Sequence, residues 1–333
     1  MHDIVLIPGD GIGPEITEAV TTILDEAGAE INWIECIAGL TAQEKMDNPL
    51  PDETLEAIDT YRLALKGPLT TPVGSGFRSV NVALRQKFEL YSNIRPAKTL
   101  PYIKSSFKDV DMVIFRENTQ GLYIGREQWA DEEKGHAESI AVVTREASER
   151  IIRAAFRYAR QNNRSKVTLV HKANILKLTT GLFLEVGEEV AEEFPEIEFE
   201  DLIVDNMAMQ MVMRPYRFEV IVTTNLFGDI LSDLASGLVG GLGVTGAANI
   251  GDDAAIFEAV HGSAPDIAGE GKANPIAFLF SALMMLEHLG EPEMAENIRQ
   301  AVYEALKDES VCTPDIGGSG TTHRFAEAVC GNL

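Results

Sequence analysis

The stretch Val220-Ile-Val-Thr-Thr-Asn-Leu-Phe-Gly-Asp-Ile-Leu-Ser-Asp233 moves from a short apolar run straight into a helical pattern. A strand that feeds a helix without a long loop is half of a β-α-β unit, and its recurrence marks an α/β protein. It does recur. Ile4–Ile7 precedes a helix near 15–27, and Leu63–Leu65, Val110–Phe115 and Val167–Val170 each lie beside a helical pattern. The segments 144–161 and 277–289 read as strongly helical. The expectation is α/β architecture in two domains, because 333 residues exceed what one typical core organises. Gly237–Gly251 is dense in glycine, shows neither period, and reads as a crossing or hinge.

Within the opening stretch, Asp229 and Asp233 stand four residues apart and project from one helical face. Two carboxylates so close repel unless a cation sits between them. A solvated acidic face is the ordinary reading of such spacing. Apolar flanks at Leu231 and Leu234 instead suggest burial, and hard oxygen ligands suit Mg2+ or Mn2+.

The net charge of −24, from 28 basic and 52 acidic residues, excludes the basic stripe that nucleic acid or an anionic membrane would demand. No apolar run reaches membrane-spanning length. The first residues pass directly into a strand pattern without a signal-peptide form, and the three cysteines lack metal spacing. A reducing compartment, by default the cytoplasm, is the expected location. The acidic runs Asp131–Glu133 and 185–200 read as solvated surface. Gly9-Asp-Gly-Ile-Gly-Pro14 resembles a dinucleotide fingerprint but lacks its spacing, and Asp10 would bring negative charge to a pyrophosphate. It reads as a tight structural turn, with Pro14 in the first turn of a helix.

In so acidic a chain, arginines among apolar residues stand out. Ser79, Asn81 and Arg85 open a helix, Arg95 follows ten residues later, and Arg116 closes the run Val110–Phe115. Guanidinium groups near a helix N-terminus suit a polycarboxylate clamp, although strand-end arginines also make structural ion pairs. Tyr123 and Lys172 each follow a strand. Near a divalent cation they could serve as proton donor and base.

Taken together, these motifs resemble the β-decarboxylating dehydrogenases, the family of isocitrate, isopropylmalate and homoisocitrate dehydrogenases. The resemblance runs through Gly9–Glu15, Gly67-Pro-Leu-Thr-Thr-Pro72, Arg116-Glu-Asn118, His171-Lys172, Gly228–Leu234, Asn249-Ile-Gly251 and His261-Gly-Ser-Ala-Pro-Asp-Ile267. It implies a two-domain fold that is not a Rossmann fold. Its large domain would be discontinuous, 1–97 plus 248–333, and a small domain at 98–247 would carry the dimer contacts. It implies metal ligands Asp229 and Asp233, with Asp205 from the second subunit of a homodimer. Lys172 would cross the interface to take the hydroxyl proton, Tyr123 would protonate the enol, and Arg85, Arg95 and Arg116 would hold carboxylates. Cofactor contacts would be Thr70, Asn174, Glu258, His261, Gly262, Ser263, Ala264, Asp266, Ile267 and Asn274.

Ser79 and Asn81 match the isocitrate pattern, whereas isopropylmalate enzymes place apolar residues there. Arg78 keeps homoisocitrate open. Where NADP-using relatives carry lysine and tyrosine, this chain has Asp266 and Ile267, so NAD is expected. Retention of these residues argues against a non-catalytic regulatory subunit. Two departures are Gln120, where glutamate is common and the charge beside Tyr123 would change, and 245–249, which lacks a frequent proline.

Overall fold

A computed structural model describes residues 1–70 and 79–333. Arg78, Phe77 and Pro72 lie outside the described residues. The chain forms two compact units. The first comprises Met1–Phe88, Thr99–Lys108 and Ser236–Leu333, and the second Glu89–Lys98 and Asp109–Ala235.

In the first unit, strands run in the order Ile31–Glu35, His2–Ile7, Leu63–Lys66, Ala255–Ala259, Gly246–Ile250. All neighbours are parallel except the last pair. The central strands are mostly apolar because both faces are covered: Ile4, Val5 and Ile7 are fully buried, and Lys66 and Glu258 are buried charges among such residues. Helix Ile276–His288, apolar on nearly every side, packs over Gly246–Ile250 and Ala255–Ala259. Gly246–Ile250 corrects the expectation that 237–251 carries no regular structure. The strand is built of small residues because the helix lies so close. A Cβ on Gly246 would come within 2.6 Å of the Ser281 nitrogen.

The turn at Gly9–Pro14 is a brace. Gly9 and Gly11 take positive φ, 85° and 59°, which glycine adopts without strain. Asp10 is buried and accepts hydrogen bonds from the backbone N–H of Leu40, Thr41 and Thr70. Pro14 falls in the first turn of helix Gly13–Glu26.

In the second unit the order is Ser92–Lys98, Asp111–Glu117, Val220–Thr223, Lys166–His171, Glu198–Ile203, with only the first pair antiparallel. A hairpin of Gly121–Trp129 and Ala137–Val142 stands apart, largely exposed, with Asp131–Glu133 at its tip. Helices Arg145–Gln161 and Thr179–Ala191 cover one face through Ile151, Phe156, Phe183 and Val186. Thr144 caps the first by accepting from Ala147 N–H.

The run 185–200 is only partly solvated surface. Its last residues begin the edge strand Glu198–Ile203, and Glu200 is tied to Lys166, Thr168 and Arg217. This edge strand mixes exposed acids with half-buried apolar residues, which hides it from a hydrophobicity reading. Among the described residues, no helix is long and apolar enough to cross a membrane.

Candidate functional site

In the second unit, two adjacent strands deliver one arginine each to a single helix. Arg95 lies on Ser92–Lys98 and Arg116 on Asp111–Glu117. Both are buried and both face the first turns of helix Asn225–Val239. Arg95 Nη1 donates to Ser232 Oγ at 2.6 Å and lies 3.4 Å from a carboxylate oxygen of both Asp229 and Asp233. Arg116 Nη1 donates to Asp229 Oδ1, and the Tyr123 hydroxyl donates to Asp229 Oδ2. The Arg116 guanidinium also lies 5.0 Å from the centroid of the Tyr123 ring, within cation–π range.

The structure thus brings Arg95, Arg116, Tyr123, Asp229 and Asp233 into one cluster. It corrects the expectation that the acid pair is buried. The Asp229 and Asp233 side chains are 37% and 56% exposed. The apolar flank turns the other way, with Leu231 at 0%. Burial on the protein side still pushes the Asp233 carboxyl above its ordinary range. Arg95 opposes that rise and the charge of Asp229 adds to it.

Two carboxylates one turn apart are a fitting pair of hard oxygen donors. Among the described residues, however, no three His, Cys, Asp or Glu side chains gather as a metal site. Asp205 lies elsewhere in this unit, at the start of helix Val204–Met213, where it pairs with Lys172. That ion pair, helped by a backbone hydrogen bond, holds the Asp205 carboxyl below its usual range. Lys172 follows the strand Lys166–His171. Its backbone N–H donates to Thr180 Oγ1 and the next N–H, of Ala173, donates to His171 Nδ1. Asn174 is exposed on the same loop. The Gln120 side chain is hydrogen-bonded to Thr144.

In the first unit, Arg85 emerges from helix Val80–Lys87, for which Ser79 is the N-cap residue without using its side chain as the cap. Asn81 Oδ1 is buried with no partner among the described residues. Arg85 and Lys66 converge on Glu258, at 3.1 Å and 2.6 Å, and Asn249 Nδ2 adds a bond of 2.8 Å. Burial would raise this carboxyl, but the two cations and the hydrogen bonds outweigh it and hold Glu258 well below the usual range. Sequence reading missed Lys66 and Asn249. Its one available signal was a lysine inside the apolar strand Leu63–Lys66.

The remaining residues expected at the cofactor sit on neighbouring loops of this unit. Thr70 Oγ1 and Ser263 Oγ are 2.6 Å apart. Ala264 takes a positive φ of 37°. Gly262 and Asp266 are exposed, Ile267 is half-buried, and Asn274 donates to Asp315 at 2.9 Å. The His261 ring pairs through Nδ1 with the Gly262 carbonyl, and burial pushes its pKa down. Its Nε2 is buried without a partner among the described residues.

The family model for isocitrate/isopropylmalate dehydrogenase matches residues 3–329. The chain is 49% identical to the isocitrate/homoisocitrate dehydrogenase of Thermus thermophilus, over 98% of this chain and 97% of that one. It is 47% identical to the Arabidopsis thaliana mitochondrial NAD isocitrate dehydrogenase catalytic subunit 5, over 98% of this chain and 87% of that one. The crystal structure of isocitrate dehydrogenase from Methylococcus capsulatus superposes with a TM-score of 0.97 at 58% identity, covering 100% of this chain and 99% of that chain. The α/β fold, the motifs and these matches make the chain a member of the isocitrate/isopropylmalate dehydrogenase family.

Proposed function

We propose that the chain oxidatively decarboxylates isocitrate to 2-oxoglutarate and CO2, using NAD and Mg2+ or Mn2+. The observation that carries this reading is the cluster of Arg95, Arg116, Tyr123, Asp229 and Asp233, where carboxylate-binding groups surround an acid pair. When bound, NAD accepts a hydride and the divalent ion draws electron density from the substrate oxygen. Asp229 and Asp233 would hold that ion, and Asp205 of a second copy would complete the set. Arg85, Arg95 and Arg116 orient the carboxylates of the tricarboxylate substrate. Lys172 removes the hydroxyl proton. Tyr123, whose hydroxyl already bears its proton toward Asp229, returns a proton to the carbon that CO2 has left.

A homodimer with shared sites follows from this assignment. Exposed Met209, Val212 and Met213 beside Asp205, and Ile230 beside Asp229, are apolar surfaces that a second copy would cover. NAD is favoured over NADP because the Asp266 carboxylate would repel a 2′-phosphate. The neutral His261 imidazole has an open acceptor nitrogen for a donor on the cofactor. The free cysteines Cys36, Cys312 and Cys330 favour the cytoplasm or another reducing compartment. Homoisocitrate is the second reading, because the Thermus relative is named for both substrates.

The test is reduction of NAD and NADP by the purified chain with Mg2+ and, in turn, isocitrate, homoisocitrate and 3-isopropylmalate. The expected outcome is NAD reduction with isocitrate that stops in EDTA. A preference for either other acid, or full activity in EDTA, overturns the assignment.

A further inference from the structure

Asn225 opens helix Asn225–Val239 and is 1% exposed. Its Oδ1 accepts from both Nε and Nη2 of Arg116, at 3.0 and 2.7 Å, while its Nδ2 donates to the Gln120 carbonyl at 3.0 Å. This edge of a guanidinium ordinarily receives a carboxylate. Here a neutral amide fills the place.

One turn along, Gly228 makes room for the arginine stem. A Cβ there would come within 2.5 Å of Arg116 Cγ. The cluster then holds two guanidinium groups, Arg95 and Arg116, against two carboxylates, Asp229 and Asp233. An acid at 225 would set a second carboxylate against Arg116, beside Asp229, and leave less of its charge for a substrate.

We infer that Asn225 is a positioning residue that fixes Arg116 without neutralising it, so that the charge stays available to a carboxylate of the 2-hydroxy acid substrate. The amide accepts from the guanidinium edge through its oxygen and donates to the Gln120 carbonyl through its nitrogen while adding no charge. The inference rests on the function proposed above and extends it to a residue outside the clamp.

The experiment compares the wild type with Asn225→Asp and Asn225→Ser. Each is assayed on isocitrate, homoisocitrate and 3-isopropylmalate, with thermal midpoints recorded. The aspartate variant should raise KM for the acid that the wild type uses by about tenfold or more, the scale of one lost interaction with a charged group. Its KM for NAD should be unchanged. Serine, a neutral acceptor, should raise KM far less although it disturbs the geometry more. A wild-type KM in the aspartate variant, or a serine variant impaired as much as it, overturns the inference.

If the wild type turns over none of the three acids, the proposed function falls, and isocitrate binding read as a rise in midpoint decides Asn225. A rise in the wild type and the serine variant but not in the aspartate variant supports the inference. An equal rise in all three, or none in the wild type, overturns it. Should Asn225→Asp fail to fold, the comparison passes to Asn225→Ser against Asn225→Ala. Serine near wild type with alanine impaired supports the role, and equal values overturn it.

Discussion

Replacing Glu258 by glutamine tests how the first unit keeps two cations in its interior. Lys66, Glu258 and Arg85 are 2%, 6% and 9% exposed. The single carboxylate answers both cations, with bonds of 2.6 and 3.1 Å. Glutamine keeps the shape and one acceptor oxygen but removes the charge, leaving two buried cations facing a neutral amide. Removing one partner of a buried ion pair costs about 3–5 kcal/mol. The surviving acceptor favours the lower end, about 3 kcal/mol. In a unit of this size that corresponds to a fall in thermal midpoint of roughly 6–12 °C.

The pH dependence has a definite sign. The Glu258 carboxyl is held below its ordinary value in the folded chain. Its contribution is therefore complete above the unfolded carboxyl value of about 4.3, and it is lost as pH falls toward the folded one. Calorimetry on both proteins should find the full gap from pH 7 to about pH 5, narrowing below about pH 4. A gap under about 2 °C at pH 7 would mean the network is not worth a buried ion pair. A gap that widens on acidification would refute the sign of the linkage.

Three further outcomes are expected. Ser79→Leu should lower kcat/KM for isocitrate selectively, because the hydroxyl is not spent capping its helix; unchanged kinetics would remove Ser79 from substrate choice. Asp266→Lys combined with Ile267→Tyr should move the ratio of kcat/KM for NAD and NADP toward NADP, and an unaltered ratio would count against the repulsion argument. Asp233→Asn should raise the thermal midpoint in EDTA slightly by removing a like charge beside Asp229, while abolishing the rise that Mg2+ gives the wild type. A variant still stabilised by Mg2+ would place the ion elsewhere.

How much of this was legible in sequence depends on the range of the interaction. Asp229 and Asp233 share a helical face by spacing alone, and Arg116 is marked by the apolar strand that it ends. The exposure of the acid pair was not legible, because flanking leucines reveal hydrophobicity but not which way the helix turns. Strand Gly246–Ile250 was hidden because close packing replaced its apolar signal with Gly and Ala. Strand Ser92–Lys98 was hidden by Asn93, Arg95 and Pro96. The partnership of Lys66 with Glu258 joins neighbouring strands, Leu63–Lys66 and Ala255–Ala259, that lie far apart in the chain. Only the pairing of those strands reveals it. The bond from Asn225 to Arg116 is of the same kind, since strand Val220–Thr223 pairs with Asp111–Glu117 in the fold alone.

A chain of net charge −24 repels a tricarboxylate at a distance, and the proposed chemistry requires it to bind one. The distribution of the arginines resolves the conflict. Exposed Arg145, Arg160 and the more shielded Arg153 are spent on Glu185, Glu189, Glu193 and Glu196 of the neighbouring segment. Such pairs contribute little stability each, but they cancel charge locally. Arg85, Arg95 and Arg116 are instead buried, where screening by salt is weak. Around Glu258 the count of two cations to one anion leaves a local positive excess, and Arg85 Nε has no partner among the described residues. With a screening length of about 8 Å at physiological salt, an approaching anion responds to this excess at close range rather than to the distant acidic surface. Burying cations with fewer anions than they need is costly to the fold, and a bound carboxylate offsets that cost.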